Sequence, residues 1–189
     1  MLQLETAQLM FRHLVQRAMR AQGVQSSEDT EYYLVQLLMS FVRPRRRNLL
    51  DPPLGMEFLS ALQLPPHQRR DRLRHVADSA LFLTGLFVEY LERTLVGPAY
   101  YVSLGQSAYA RLSADGASTP MAPSFDELAQ RFPDFVRVLS DIAQCEMFPR
   151  ERDILRVYKR WLLTRGEQDA VFLAKQGLIP WTPRDHRRH

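Results

Sequence analysis

Between His75 and Leu112 apolar side chains return every three or four positions, and no other feature narrows the possible folds so far. Phe82, Leu83, Leu86, Phe87, Tyr90 and Leu91 form a stripe broad enough to be covered by more than one neighbour, which predicts a central helix. Gly85 lies inside this stripe, where glycine costs about 1 kcal/mol relative to alanine. A neighbouring backbone passing close to Gly85 would offset that cost. Gly97-Pro98 combines a helix stop with a residue suited to a first turn, so the central helix is expected to end near Val96. Beyond it, Tyr101, Leu104, Ala108 and Leu112 form a second buried stripe, with Gly105 again permitting close approach. The expected core is a hairpin of two antiparallel helices joined by Gly-Pro.

The remaining segments repeat the helical period. Residues 3–22 place Leu4, Ala7, Met10, Phe11, Leu14, Val15 and Ala18 on one side, and Gly23 ends the pattern. Ser26 or Ser27 can cap a second helix, whose first turn holds Glu28, Asp29 and Glu31, the favourable sign for a helix dipole. Residues 43–55, with three prolines and four arginines, are an irregular connection. A short helix over Met56–Leu62 follows, and Pro65-Pro66 opens a basic segment leading into the central helix, directly or with a kink near Asp78. After a loop at 114–123, Ser124 and Glu127 have the spacing of a capping box for a helix starting at Phe125. Pro133 separates it from a longer helix reaching Cys145. Pro149 opens another, with Ile154, Leu155, Tyr158, Trp161 and Leu162 inward. Thr164 and Glu167 then suggest a last cap, for a helix ending at Gly177. No alternating stretch is long enough for a strand. The predicted fold is all-α: a single-domain bundle of seven to nine helices over residues 1–177, with residues 178–189 an extended basic tail.

Composition excludes some classes of partner and compartment. Hydrophobic residues make up 46% of the 189 and charged residues 24%, the balance of an ordinary globular chain. No apolar run approaches the ~20 residues that span a bilayer, and Glu5 and the interleaved polar residues of the amino terminus are unlike a signal peptide. The single cysteine, Cys145, forbids an intramolecular disulfide and fits the cytoplasm. The net charge of +4 is unevenly spread: −1 over residues 1–42, +5 over 43–75, −5 over 76–147 and +5 over 148–189. Such segregation suits pairing between copies. Only Lys159 and Lys175 are lysines, so the positive charge is an arginine effect.

Several residue groups could carry chemistry. His67, Asp71, His75 and Asp78 fall within about 80° of one helix face, a metal-ligand spacing. Leu73, Val76, Ala77 and Ala80 point the other way, so this face is expected to look out from the core as solvated surface, and no metal or cofactor is expected. Glu89 and Glu92 lack the Glu-x-x-His partners of a di-iron bundle. Cys145 has no adjacent histidine. The chain holds no phosphate-binding glycine loop, nucleophile elbow or Cys-x-x-Cys, and no catalytic residue is assigned. Tyr100, Tyr101 and Tyr109, beside Gly85 and Gly105, could line a ligand pocket, although tyrosines at this spacing more often belong to a core with hydroxyls at its boundary. A basic patch comprising Arg43, Arg45, Arg46, Arg47, Arg69, Arg70, Arg72 and Arg74 could contact phosphates. It lacks helix-turn-helix spacing, stacking aromatics and zinc-finger signatures.

The runs Tyr33–Leu38, Ala77–Phe87 and Tyr100–Tyr109 together resemble a group of small helical bacterial proteins with no established activity. The resemblance implies the helical fold and the cytoplasm, and says nothing of mechanism. The function expected from the sequence is that of a non-enzymatic helical protein acting through protein contacts, with a homodimer possible. The alternatives are a ligand-binding or enzymatic bundle using the tyrosine region, and nucleic-acid binding through the arginines.

Overall fold

A computed structural model describes residues 2–42, 53–92, 96–144 and 166–175, together with residues 157, 160, 161 and 164. Among the described residues the chain is helical, with no strand. The helices are α1 (Leu2–Ala21), α2 (Glu28–Val42), α3 (Leu54–Leu62), α4 (Pro66–Leu86), α5 (Val88–Leu91), α6 (Pro98–Asp115), α7 (Ala122–Gln130), α8 (Phe132–Gln144) and α9 (Glu167–Lys175). Residues 43–52 of the connection expected over 43–55, the side chains of Glu89 and Tyr90, Cys145, most of the segment opened by Pro149 and the tail 178–189 lie outside the described residues. Leu54 and Gly55 already belong to α3, and Trp161, expected inward, is buried.

The centre is α4. Every residue from Ser79 to Phe87 is buried, so this half of the helix is covered on all sides. It packs against α6, α8 and α3, while α7 lies on α6 and the α1–α2 pair closes against α8 and α7. The α4–α6 pair is antiparallel, as the hairpin expectation requires. Arg69 meets Asp115, Asp78 meets Tyr109, and Ala80 lies beside Gly105. Pro66 and Pro98 each stand in the first turn of their helix, where the absent N–H has no intrahelical partner to lose. The segment 66–78 and the central helix form one continuous helix.

Caps mark the boundary between α1 and α2. Gly23 adopts φ 64°, and the Val24 N–H bonds to Met19 O (2.9 Å) while the Gly23 N–H bonds to Arg20 O (3.2 Å). This is a Schellman closure, with Val24 and Met19 both buried beneath it. Ser27, rather than Ser26, caps α2, its Oγ accepting the Thr30 N–H at 3.2 Å.

Four local expectations are corrected. The central helix stops at Leu86 rather than near Val96. There Ser140 of α8 donates its hydroxyl to the Gly85 carbonyl (2.9 Å), satisfying a C-terminal carbonyl from outside the helix. Phe87 leaves helical geometry with its ring turned inward, 5.7 Å from that of Phe82. The helix expected from Phe125 begins at Ala122, since Pro123 is tolerated in a first turn; Ser124 is buried inside it and caps nothing. Thr164 is not the cap of the last helix. It is itself helical, its hydroxyl donates to Arg160 O at 2.9 Å, and Gly166 O accepts the first bond of α9, from the Ala170 N–H. Asp78, expected on an outward face, points instead between α2 and α6.

Candidate functional site

Asp78 is the one carboxylate on the otherwise apolar half of α4, and its surroundings explain how the chain accommodates it. Its Oδ1 accepts the hydroxyl protons of Tyr33 on α2 (2.5 Å) and Tyr109 on α6 (2.8 Å). Arg74, one turn earlier, donates from Nε to the Tyr33 hydroxyl oxygen (3.2 Å) and places the same nitrogen 3.7 Å from Asp78 Oδ2. Its guanidinium also lies over the Tyr33 ring, 5.0 Å from the centroid. The rings of Tyr33, Tyr109 and Phe125 meet edge-on or stacked at centroid distances of 5.5–6.3 Å.

The electrostatics of this cluster favour one protonation state. Burial pushes both phenols well above their ordinary pKa, and the negative charge of Asp78 raises them further; Arg74 opposes this in part at Tyr33. Tyr33 and Tyr109 are therefore held as neutral donors. Two phenols and a guanidinium around one carboxylate form a hub that fastens α2, α4 and α6 together. A buried polar group this well matched is a source of attachment and register.

The residues proposed for a pocket occupy separate places. A Cβ at Gly85 would run into the Leu139 side chain, with Cδ1 3.0 Å away. A Cβ at Gly105 would run into the Phe132 ring, with Ala80 Cβ at 3.1 Å. Leu139 and Phe132 thus fill the space beside the two glycines. Tyr109 is fully buried in the hub, Tyr101 is half-buried, and Tyr100 stands at the surface beside α3.

The described part of the basic patch is engaged within the chain. Arg69 pairs with Asp115 at 2.7 Å, Arg72 with Glu57 at 3.2 Å, and Arg74 with the hub. Arg70 is half-buried with its Nη2 close to Gly116. Arg43, Arg45, Arg46 and Arg47 lie outside the described residues. Two of these pairs, Arg69–Asp115 and Arg74–Asp78, join the positive segment 43–75 to the negative segment 76–147. Part of the charge segregation is thereby neutralised inside one molecule. Arg160 and Asp169 form a further clamp, at 2.8 Å from Nε and 2.5 Å from Nη2, that lowers the Asp169 pKa and ties the Trp161 segment to α9. His67 and Asp71 are exposed, as expected. Among the described residues no group of three or more His, Cys, Asp or Glu is placed to hold a metal ion.

The short helix expected over Met56–Leu62 is present as α3, and what sequence reasoning missed is its outward face. Its inner face is anchored by Leu54, Glu57 and Ala61. Glu57 is 3% exposed, takes a hydrogen bond from Arg72 Nη1 at Oε1, and has His75 Nε2 3.6 Å from Oε2. The opposite face is apolar and open: Met56 is 65% exposed, Leu59 63% and Leu62 37%. A Cβ at Gly55 would strike the Tyr100 hydroxyl, so Tyr100, 43% exposed, adjoins this face. The signal lay in the composition of α3, where Leu54, Phe58 and Ala61 already supply an inner stripe and Met56, Leu59 and Leu62 are surplus to it. Comparison with protein-family models, curated proteins and solved structures finds no match.

Proposed function

We propose that this chain is a non-enzymatic protein of the cytoplasm that acts through contacts with proteins, a second copy included, and that the outward face of α3 makes the contact. One observation carries the reading. Met56 and Leu59 are large, apolar and nearly two-thirds exposed on one face of a helix whose other face is firmly seated. Large apolar side chains grouped in this way on a helix surface mark interaction sites, whereas isolated ones need no explanation. The polar interior supports the same reading from the other side. The hub groups bond to one another, so they hold helices together. The single cysteine suits a reducing compartment. Among the described residues no helix is long and apolar enough to cross a membrane.

The test is a chain carrying Met56→Lys and Leu59→Lys, compared with the unaltered chain by chemical crosslinking in intact cells of the native host. Both side chains already face water, so the melting temperature should stay within a few degrees of the parent. Crosslinked species heavier than the 22.0 kDa chain should be depleted in the variant. An unchanged crosslinking pattern with an intact fold would contradict the assignment.

A further inference from the structure

Resting on the contact reading above, we propose that the α3 face receives a second copy of this chain, the two α3 helices lying antiparallel about a two-fold axis that passes beside Leu59. The charge pattern argues for this occupant. Glu57 is the sole charged residue of α3, and it is turned inward onto Arg72 and His75. The exposed remainder of the face, Met56, Leu59, Ser60 and Leu62, is uncharged. Two-fold pairing brings every group near its own kind, so a charged face repels its copy and a neutral one does not. On the adjoining turn of α4 the exposed charged residues are Asp71, Arg72 and Arg74, and the two arginines pair with Glu57 and Asp78 of their own chain. Among the described residues the rim therefore presents no unpaired block of one sign to its copy.

The spacing is self-complementary as well. Met56, Leu59 and Leu62 recur every three residues, which centres the stripe on Leu59. An antiparallel copy then sets Met56 against Leu62 of the second copy and Leu59 against its own equivalent. A helix about 13 Å long offers less surface than long-lived dimers bury, so the association is weak and concentration-dependent.

The test uses the purified full-length chain with Cys145→Ser, which leaves a thiol-free background. Leu59→Cys in this background should form a disulfide-linked dimer under mild oxidation several-fold faster than Ala21→Cys, an exposed position on α1. Adding Met56→Lys should abolish that advantage. The parent chain should sediment at 22.0 kDa when dilute and move toward twice that mass when concentrated. Equal dimer yields from Leu59→Cys and Ala21→Cys, with a monomer at every concentration, overturn the proposal. If that result appears while the double lysine variant still loses host crosslinks, the partner is a different protein and the contact reading survives. If the host crosslinks also persist, both fall.

Discussion

At Gly85 and Gly105, helix propensity and packing make opposite predictions, so these two residues test the core most sharply. Alanine is favoured over glycine in a helix interior by about 1 kcal/mol. Against that, a new Cβ at Gly85 meets the Leu139 side chain at its Cβ, which cannot move without α8, and one at Gly105 meets the buried Phe132 ring. Overpacking of this kind costs about 1–3 kcal/mol. Gly85→Ala and Gly105→Ala should therefore each lower the stability measured by urea denaturation, Gly85→Ala the more severely, and a gain at both would contradict the packing. The hub makes a separate prediction. Tyr33 and Tyr109 keep their protons in the folded state above the pH at which an unfolded phenol loses its own, near 10. Below pH ~10 both states are protonated and the hub contributes fully; above it the unfolded state alone releases protons, so stability falls as pH rises. Of the seven tyrosines, these two should show no phenolate absorbance until the chain unfolds cooperatively in base. Two extra phenolates appearing while the far-ultraviolet dichroism is still native would contradict the buried placement.

Among the elements, helix ends follow first-turn prolines, the Gly23 closure and the Ser27 cap rather than the apolar stripes. The apolar period made α1, α2, α6 and α8 legible because each alternates a buried and an open face. The ends were less so, since an end depends on a partner distant in sequence. Glu127 shows why. It has capping-box spacing after Ser124, yet its Oε2 accepts the Ser27 N–H (3.4 Å) and hydroxyl (3.3 Å). A glutamate on α7 thus completes the cap of α2, a hundred residues away, and Arg131 fixes it there through Oε1 at 3.1 Å. Ser27→Ala should cost about 1 kcal/mol, the usual value for a lost serine cap. Glu127→Ala should cost less, because its bonds to Ser27 are longer and exposed. In combination they should cost less than their sum, since both act on the same helix end. A double-mutant cycle by thermal or chemical unfolding checks this, and strict additivity would mean that Glu127 does not act on the cap. The break after Leu86 has the same origin, for nothing local announces that Ser140 will bond the Gly85 carbonyl.

Over the whole molecule, the all-α class and the α4–α6 hairpin were readable because they rest on periodicity, whereas the hub and the α3 face were not. Asp78 gave a partial signal, a lone acid among apolar residues, but helix geometry alone turned it outward with His67, Asp71 and His75. Its partners Tyr33 and Tyr109 lie 45 and 31 residues away. The arginine runs show the reverse: conspicuous in sequence, those described on α4 lie against Glu57, Asp78, Asp115 and the neighbourhood of Gly116 in the fold. Among the described residues, what remains outward, apolar and grouped is the α3 stripe. The most direct measurement of its role is a photo-reactive phenylalanine analogue placed at Leu59 in the native host, with the same analogue at Ala21 as reference. The expected result is a discrete set of covalent adducts above 22.0 kDa from position 59 and none of that set from position 21. Illumination that yields no adduct from position 59, or the same adducts from both positions, would contradict the assignment of α3 as the contact surface.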